Sequence, residues 1–174
     1  MRAVRLFVVA LCAVVLVLAA ACGDRTLTNP APAPSASLIG DLGSATGLLK
    51  CSQLTADTET ATIGGGGGTL KIGPHTLTIP AGALSAPVMI TGAIVQGGGV
   101  NAVHFEPEGL QFDKTAYLTM SYANCSLLGS LLPKRIAYTT DVLTIVEYLL
   151  SVDNLWARKV TGQLHHFSDY AVSW

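Results

Sequence analysis

The stretch "GQLHHFSDYAVSW" (162–174) places His166 directly before Phe167 and Ser168. Those three types in that order could cleave their own chain. The Ser168 hydroxyl would attack the Phe167 carbonyl, and His166 would accept or steer the proton. The amide would become an ester, which water opens. The shift is uphill unless the fold strains the bond, and strain costs of order 1–3 kcal/mol per distorted residue. Without strain the tripeptide is inert, with His166 on an inward face and Ser168 satisfying backbone. The expectation is that Phe167–Ser168 stays intact. Ordinary hydrolysis asks for more, a base and an orienting acid within reach of the nucleophile. The chain has no G-x-S-x-G elbow. No enzyme activity is expected.

Other residues with chemical potential read as structure. "GGGGG" (64–68) invites comparison with a phosphate loop, which needs Lys-Ser/Thr after the last Gly and a helix behind it. Here Thr69-Leu70-Lys71 leads into a strand, so a turn is expected and no cofactor. His75, His104, His165 and His166 show no i,i+2 pair on a strand face, and His165 and His166 point oppositely. No metal is expected. No basic run exceeds Lys134-Arg135 or Arg158-Lys159. Each reads as a solvated face, and no nucleic-acid partner is expected.

The N-terminus speaks of location. Arg2 and Arg5 precede an apolar run of 16 residues, "LFVVALCAVVLVLAAA" (6–21), that ends on Cys22. This is the pattern of a secretory signal peptide. "LAAAC" resembles a bacterial lipobox, although Leu18 stands one place upstream of the usual position. The resemblance implies cleavage before Cys22, with diacylglycerol and an acyl group such as palmitate on that residue. Two or more chains anchor a protein stably. Gly23, rather than an Asp, follows Cys22, which favours the outer membrane or cell surface over the inner membrane. Removal of Arg2 and Arg5 with the leader leaves eight basic residues against eleven acidic ones.

The expected organisation is a signal peptide (1–21), a lipidated Cys with a Pro/Ala/Ser-rich tether (22–50), and one domain (51–174). "GDRTLTNPAPAPSAS" (23–37) cannot bury a core and reads as an extended spacer. "LIGDLGSATGLLK" (38–50) is open between a short helical turn and an edge segment docked on the domain. Cys12 leaves with the leader and Cys22 carries lipid. Cys51 and Cys125 remain, an even pair in an exported chain, and a disulfide is expected.

From about residue 51 the apolar residues alternate in short runs. Leu77 and Ile79 share one face, as do Val88, Ile90 and Ile94, and Leu118, Met120 and Tyr122. "AVHFE" (102–106), "RIAYT" (135–139), "VLTIVEYLL" (142–150), "LWARKV" (155–160) and the tail continue the series. Gly73-Pro74, Pro80, "QGGG" (96–99), Pro107, Asp153-Asn154 and Thr161-Gly162 separate them. About eight short strands at this spacing indicate an all-β antiparallel sandwich or barrel. The sandwich is the expectation carried forward.

Two stretches are more particular. "LTIPAGAL" (77–84) and "FEPEGLQFDKTAYLTMSY" (105–122) resemble the ZU-five domain, named for zonula occludens and Unc-five proteins. Gly64–Gly68 fit its Gly-rich turn. Ile79, Pro80, Gly82, Ala83 and Leu84 fit its first motif, and Gly109, Phe112, Lys114, Leu118 and Tyr122 its second. Thr115-Ala116 depart from the usual Pro-Val. "HFSDYAV" is similar to the end of such domains, and the likeness runs over residues 60–174. It implies a ZU-five-like β-sandwich that binds or scaffolds and does not catalyse. Some death-domain proteins with a similar module cleave themselves at His-Phe-Ser, so self-processing is the alternative. A carbohydrate or cell-wall binder is a third reading, weakened because most of the few aromatics are expected in the core. The expected partners are the membrane, through the lipid, and a protein or cell-envelope ligand.

Overall fold

The structure is a computed structural model that describes residues 47–126 and 132–174. The leader, the lipidation expected at Cys22 and the tether up to residue 46 lie outside the described residues.

Alternating burial builds two antiparallel sheets. The strands are β1 (Thr58–Ile63), β2 (Gly68–Ile72), β3 (His75–Ile79), β4 (Val88–Ile94), β5 (Ala102–Glu106), β6 (Gln111–Ser121), β7 (Arg135–Thr139), β8 (Ile145–Tyr148), β9 (Ser151–Asn154), β10 (Lys159–His166) and β11 (Asp169–Ser173). One sheet has six strands in the order β1-β4-β5-β11-β7-β8, the other five in the order β2-β3-β6-β10-β9. The protein is therefore an all-β antiparallel sandwich. Its core draws Leu77, Ile79, Ile90, Phe105, Leu118, Met120, Tyr122, Leu164, Tyr170 and Val172 from both sheets. The edge pair β1 and β2 is joined by the glycine run, and the edge pair β8 and β9 by Leu149-Leu150. The chain thus crosses between sheets along both flanks.

The glycine run is a turn with a steric reason. Gly67 has φ of 73° and donates its N–H to the Gly64 carbonyl. A Cβ there would stand 2.4 Å from the Ile79 carbonyl oxygen. The other motif residues also serve the fold. Pro80 follows β3, whose ladder it cannot extend. Gly82 has φ of 79°, and a Cβ on it would meet Lys114 Nζ at 2.7 Å. Lys114 donates to the Ala81 carbonyl at 2.9 Å, tying the two motif stretches together.

Three details differ from the sequence reading, and one that it left open is resolved. The run 142–150 is a strand only over Ile145–Tyr148, since Leu143, at φ 60°, sits in a turn whose N–H reaches the Thr140 carbonyl. The run 155–160 is mostly the β9–β10 turn, closed by Ala157 N–H to Asn154 Oδ1 and by Arg158 N–H to the Leu155 carbonyl. Lys134 is not on a solvated face. It is 1% exposed, donates through Nζ to the Leu132 carbonyl, and lies 5.4 Å from the Trp174 ring centroid. Finally, Leu48 and Leu49 are buried, with Leu48 bridged to Ser173 and Leu49 N–H bonded to Val172.

Cys51 and Cys125 form the expected disulfide. It joins the start of the domain to the loop after β6, beside the bond from Ser126 N–H to the Lys50 carbonyl.

Candidate functional site

Strand β10 connects the two places where side chains gather without an evident role in the core. At eight residues and ~3.3 Å per residue, it separates them by about 26 Å.

The distal place is the β10–β11 corner. Phe167 is fully buried, its ring 4.9 Å from that of Phe105 and 5.0 Å from that of Phe112. Its N–H donates to the Leu110 carbonyl and its own carbonyl accepts from Gly109 N–H at 2.9 Å. His166 Nδ1 lies 3.3 Å from the same oxygen. The His166 ring packs edge-on against Tyr138, and its carbonyl accepts from Tyr170 Oη at 2.6 Å. Burial raises the Tyr170 hydroxyl pKa well above its ordinary value, so it remains a donor. Ser168 is nearly buried and its carbonyl accepts from Phe105 N–H. The expectation that its hydroxyl satisfies backbone is not met, since no hydrogen bond reaches Oγ among the described residues. His166, Phe167 and Ser168 are thus brought together, with the carbonyl already holding a donor.

Beside this corner lies a cleft of about 360 Å³ lined by His104, Glu108, Tyr138, Thr139, Thr140, Asp141, Ser168 and Asp169. His104 Nδ1 contacts Asp169 Oδ1 at 2.9 Å, and its Nε2 lies 3.9 Å from Glu106 Oε1. The β5–β11 ladder makes this pair by setting Asp169 opposite His104. Sequence reasoning could not find it, because 65 positions separate the partners. The cleft is acidic, with the carboxylates of Glu108, Asp141 and Asp169 lining it beside one imidazole. Among the described residues no group of three or more His, Cys, Asp or Glu is placed to hold a metal.

The proximal place is the β9–β10 turn. Trp156 is 99% exposed, and Leu155 beside it is half exposed. Val146, Tyr148, Leu150 and Val152 continue an exposed apolar strip along the β8–β9 flank. Arg158 and Lys159, both exposed, follow after Ala157, and Arg158 Nη1 donates to the Ala123 carbonyl at 3.3 Å. Asp153, the nearest carboxylate in sequence, is spent internally. It accepts from Tyr122 Oη at 2.7 Å and from Lys134 N–H at 2.9 Å. The aromatics expected in the core therefore divide. Tyr122 and Tyr170 are buried, Trp174 is half-buried, and Trp156 is out in solvent.

His75 is buried in the five-stranded sheet. Its Nδ1 accepts from Ser121 N–H at 3.1 Å, while Nε2 has no partner among the described residues. Desolvation lowers its pKa from 6.5 to about 4. It is a neutral core residue.

No protein-family model matches the chain, and no curated protein matches it.

Proposed function

We propose that the chain is an exported lipoprotein, held to the cell envelope through Cys22, whose ZU-five-like sandwich is a non-enzymatic binding or scaffolding module. The observation that carries the binding reading is the exposed apolar strip ending in Trp156. Folding gains nothing from a side chain left in water, and contiguous exposed apolar surface marks interaction sites. The Cys51–Cys125 bridge supports export, because disulfides persist in oxidising compartments. The leader ending in "AAAC" supports lipid attachment.

The experiment is membrane fractionation with intact mass, for the natural chain and for Cys22→Ser. The natural chain is expected in the membrane fraction, starting at Cys22 and carrying added acyl mass. Cys22→Ser is expected either in the soluble fraction or at the mass of the unprocessed chain. An unaltered membrane-bound product in the variant would sink the anchor.

Self-processing has one observation in its favour. The Phe167 carbonyl already receives Gly109 N–H, with His166 Nδ1 nearby, and preset donors of this kind stabilise an oxyanion. Against it, the only non-Gly residues with left-handed backbone among those described are Leu143 and Arg158, so that form of strain is missing from the bond. The intact chain is therefore expected in denaturing mass spectrometry. A product ending at Phe167, abolished by Ser168→Ala and slowed by His166→Ala, would put self-processing first.

A further inference from the structure

We propose that the β9–β10 turn is a membrane-docking tip that seats Leu155 and Trp156 in the interfacial layer of an anionic bilayer, with Arg158 and Lys159 against its phosphates. The inference rests on the lipid-anchor reading for what brings the bilayer close, and it names the partner of the apolar strip.

Three observations carry it. The first is the composition of the tip. A fully exposed Trp beside a half-exposed Leu, followed after Ala157 by Arg158 and Lys159, has the amphipathic character of a bilayer interface. Trp favours the headgroup level, and basic side chains pair with anionic lipid. The second is charge disposition. Asp153 is turned inward to Tyr122 and Lys134, while Arg135, stacked over Tyr148, adds a further positive group on the same flank. The three carboxylates of the His104 cleft stand at the other end of β10. The β9–β10 turn therefore offers an anionic surface basic groups, whereas the His104 cleft offers it carboxylates.

The third observation is the position of Gly47. The Gly47 carbonyl accepts from Trp174 N–H at 3.2 Å, and a Cβ on Gly47 would stand 3.2 Å from Tyr148 Oη. Gly47 thus lies beside the apolar flank and at the proximal end, where Lys134 links Trp174 to Asp153. The 25 residues from Cys22 to Gly47 can span at most about 85 Å. Within that radius docking is intramolecular, and a weak tip is populated through effective concentration. One Trp and one Leu would hold a free protein poorly, but they suffice to orient a tethered one.

The test uses the full chain as the cell exports it, carrying Trp174→Phe so that Trp156 is the sole indole. The protein is reconstituted in vesicles with brominated acyl chains, with and without phosphatidylglycerol. Trp156 fluorescence is expected to be quenched and blue-shifted in the anionic vesicles and much less so in zwitterionic ones. Arg158→Gln with Lys159→Gln is expected to shift the docking equilibrium away from the membrane by roughly thirtyfold, from about one kcal/mol per basic residue. Water-like emission with no quenching in either vesicle overturns the proposal. So does protection of Trp156 without lipid, whether in a cross-linked dimer or by an added soluble glycan. Intact mass of the same sample separates the two readings. Acylated protein with unquenched Trp156 defeats docking alone, while quenched Trp156 in protein lacking the acyl mass defeats the anchor alone.

Discussion

At the β10–β11 corner, Phe167 lies between the rings of Phe105 and Phe112 with no exposed surface. At the other end of the same strand, Trp156 touches almost nothing and stands in water. The corner carries its charges as carboxylates around His104, the turn as Arg158 and Lys159. One strand thus ends in an aromatic that holds the sandwich together and begins beside one that does nothing for it. The difference separates two uses of apolar surface. Burial at the corner stabilises the fold, whereas exposure at the turn is useful only to something outside the chain.

The largest effect on this comparison is expected from Phe167→Ala, which removes a fully buried ring and leaves a cavity between two others. Denaturant titration should show a loss of about 4 kcal/mol. A loss near zero would mean that the corner is not part of the core. Removing the disulfide at the proximal end, by Cys51→Ala with Cys125→Ala, should cost about 3 kcal/mol. It frees a loop closed across 74 positions. An unchanged midpoint under reducing and oxidising conditions would refute that.

Acid should weaken the fold through His75. The unfolded chain takes up this proton near pH 6.5, the folded one only near 4. Acidification through that window therefore favours unfolding. The stabilisation from the neutral, buried ring is complete above pH 6.5, and about 2–3 kcal/mol is lost by pH 4. His75→Gln should flatten this slope in stability measured against pH, whatever it does to stability at neutral pH. The smallest effect is expected from Trp156→Ala, within about 0.5 kcal/mol of the natural chain. A large loss there would erase the contrast between the two ends.

Much of the sandwich was legible because alternation reports directly on burial. Leu118, Met120 and Tyr122 share a face in sequence and are all fully buried in β6 and just beyond it. The disulfide was legible from Cys51 and Cys125 being the even pair left once Cys12 and Cys22 are assigned to the expected leader and lipid site. The β8–β9 region was not. Its β-branched run reads as one strand, yet the chain crosses between sheets at Leu149-Leu150 with neither Gly nor Pro to mark it. Asp153-Asn154 was a sound turn signal placed slightly early. Asn154 ends β9 and its side chain then closes the turn onto Ala157, which puts Trp156 at the tip and out of a strand. The His104–Asp169 pair depends on which strands become neighbours, and local pattern does not encode that. Lys134 was misread because two adjacent charges say nothing of which one a tryptophan covers.

The segment from Gly47 to Cys51 also has a mechanical meaning. A pull on the chain ahead of Gly47 would meet first the short bridges of Leu48 and Leu49 to β11. These can open one after another, like the teeth of a zip. The load would then arrive at Cys51, where the covalent link to Cys125 hands it to the loop after β6. Strands β1 to β6 lie between the two cysteines and are bypassed by the force. In single-molecule extension the oxidised chain should keep that whole segment hidden, and the reduced chain should release it as added length.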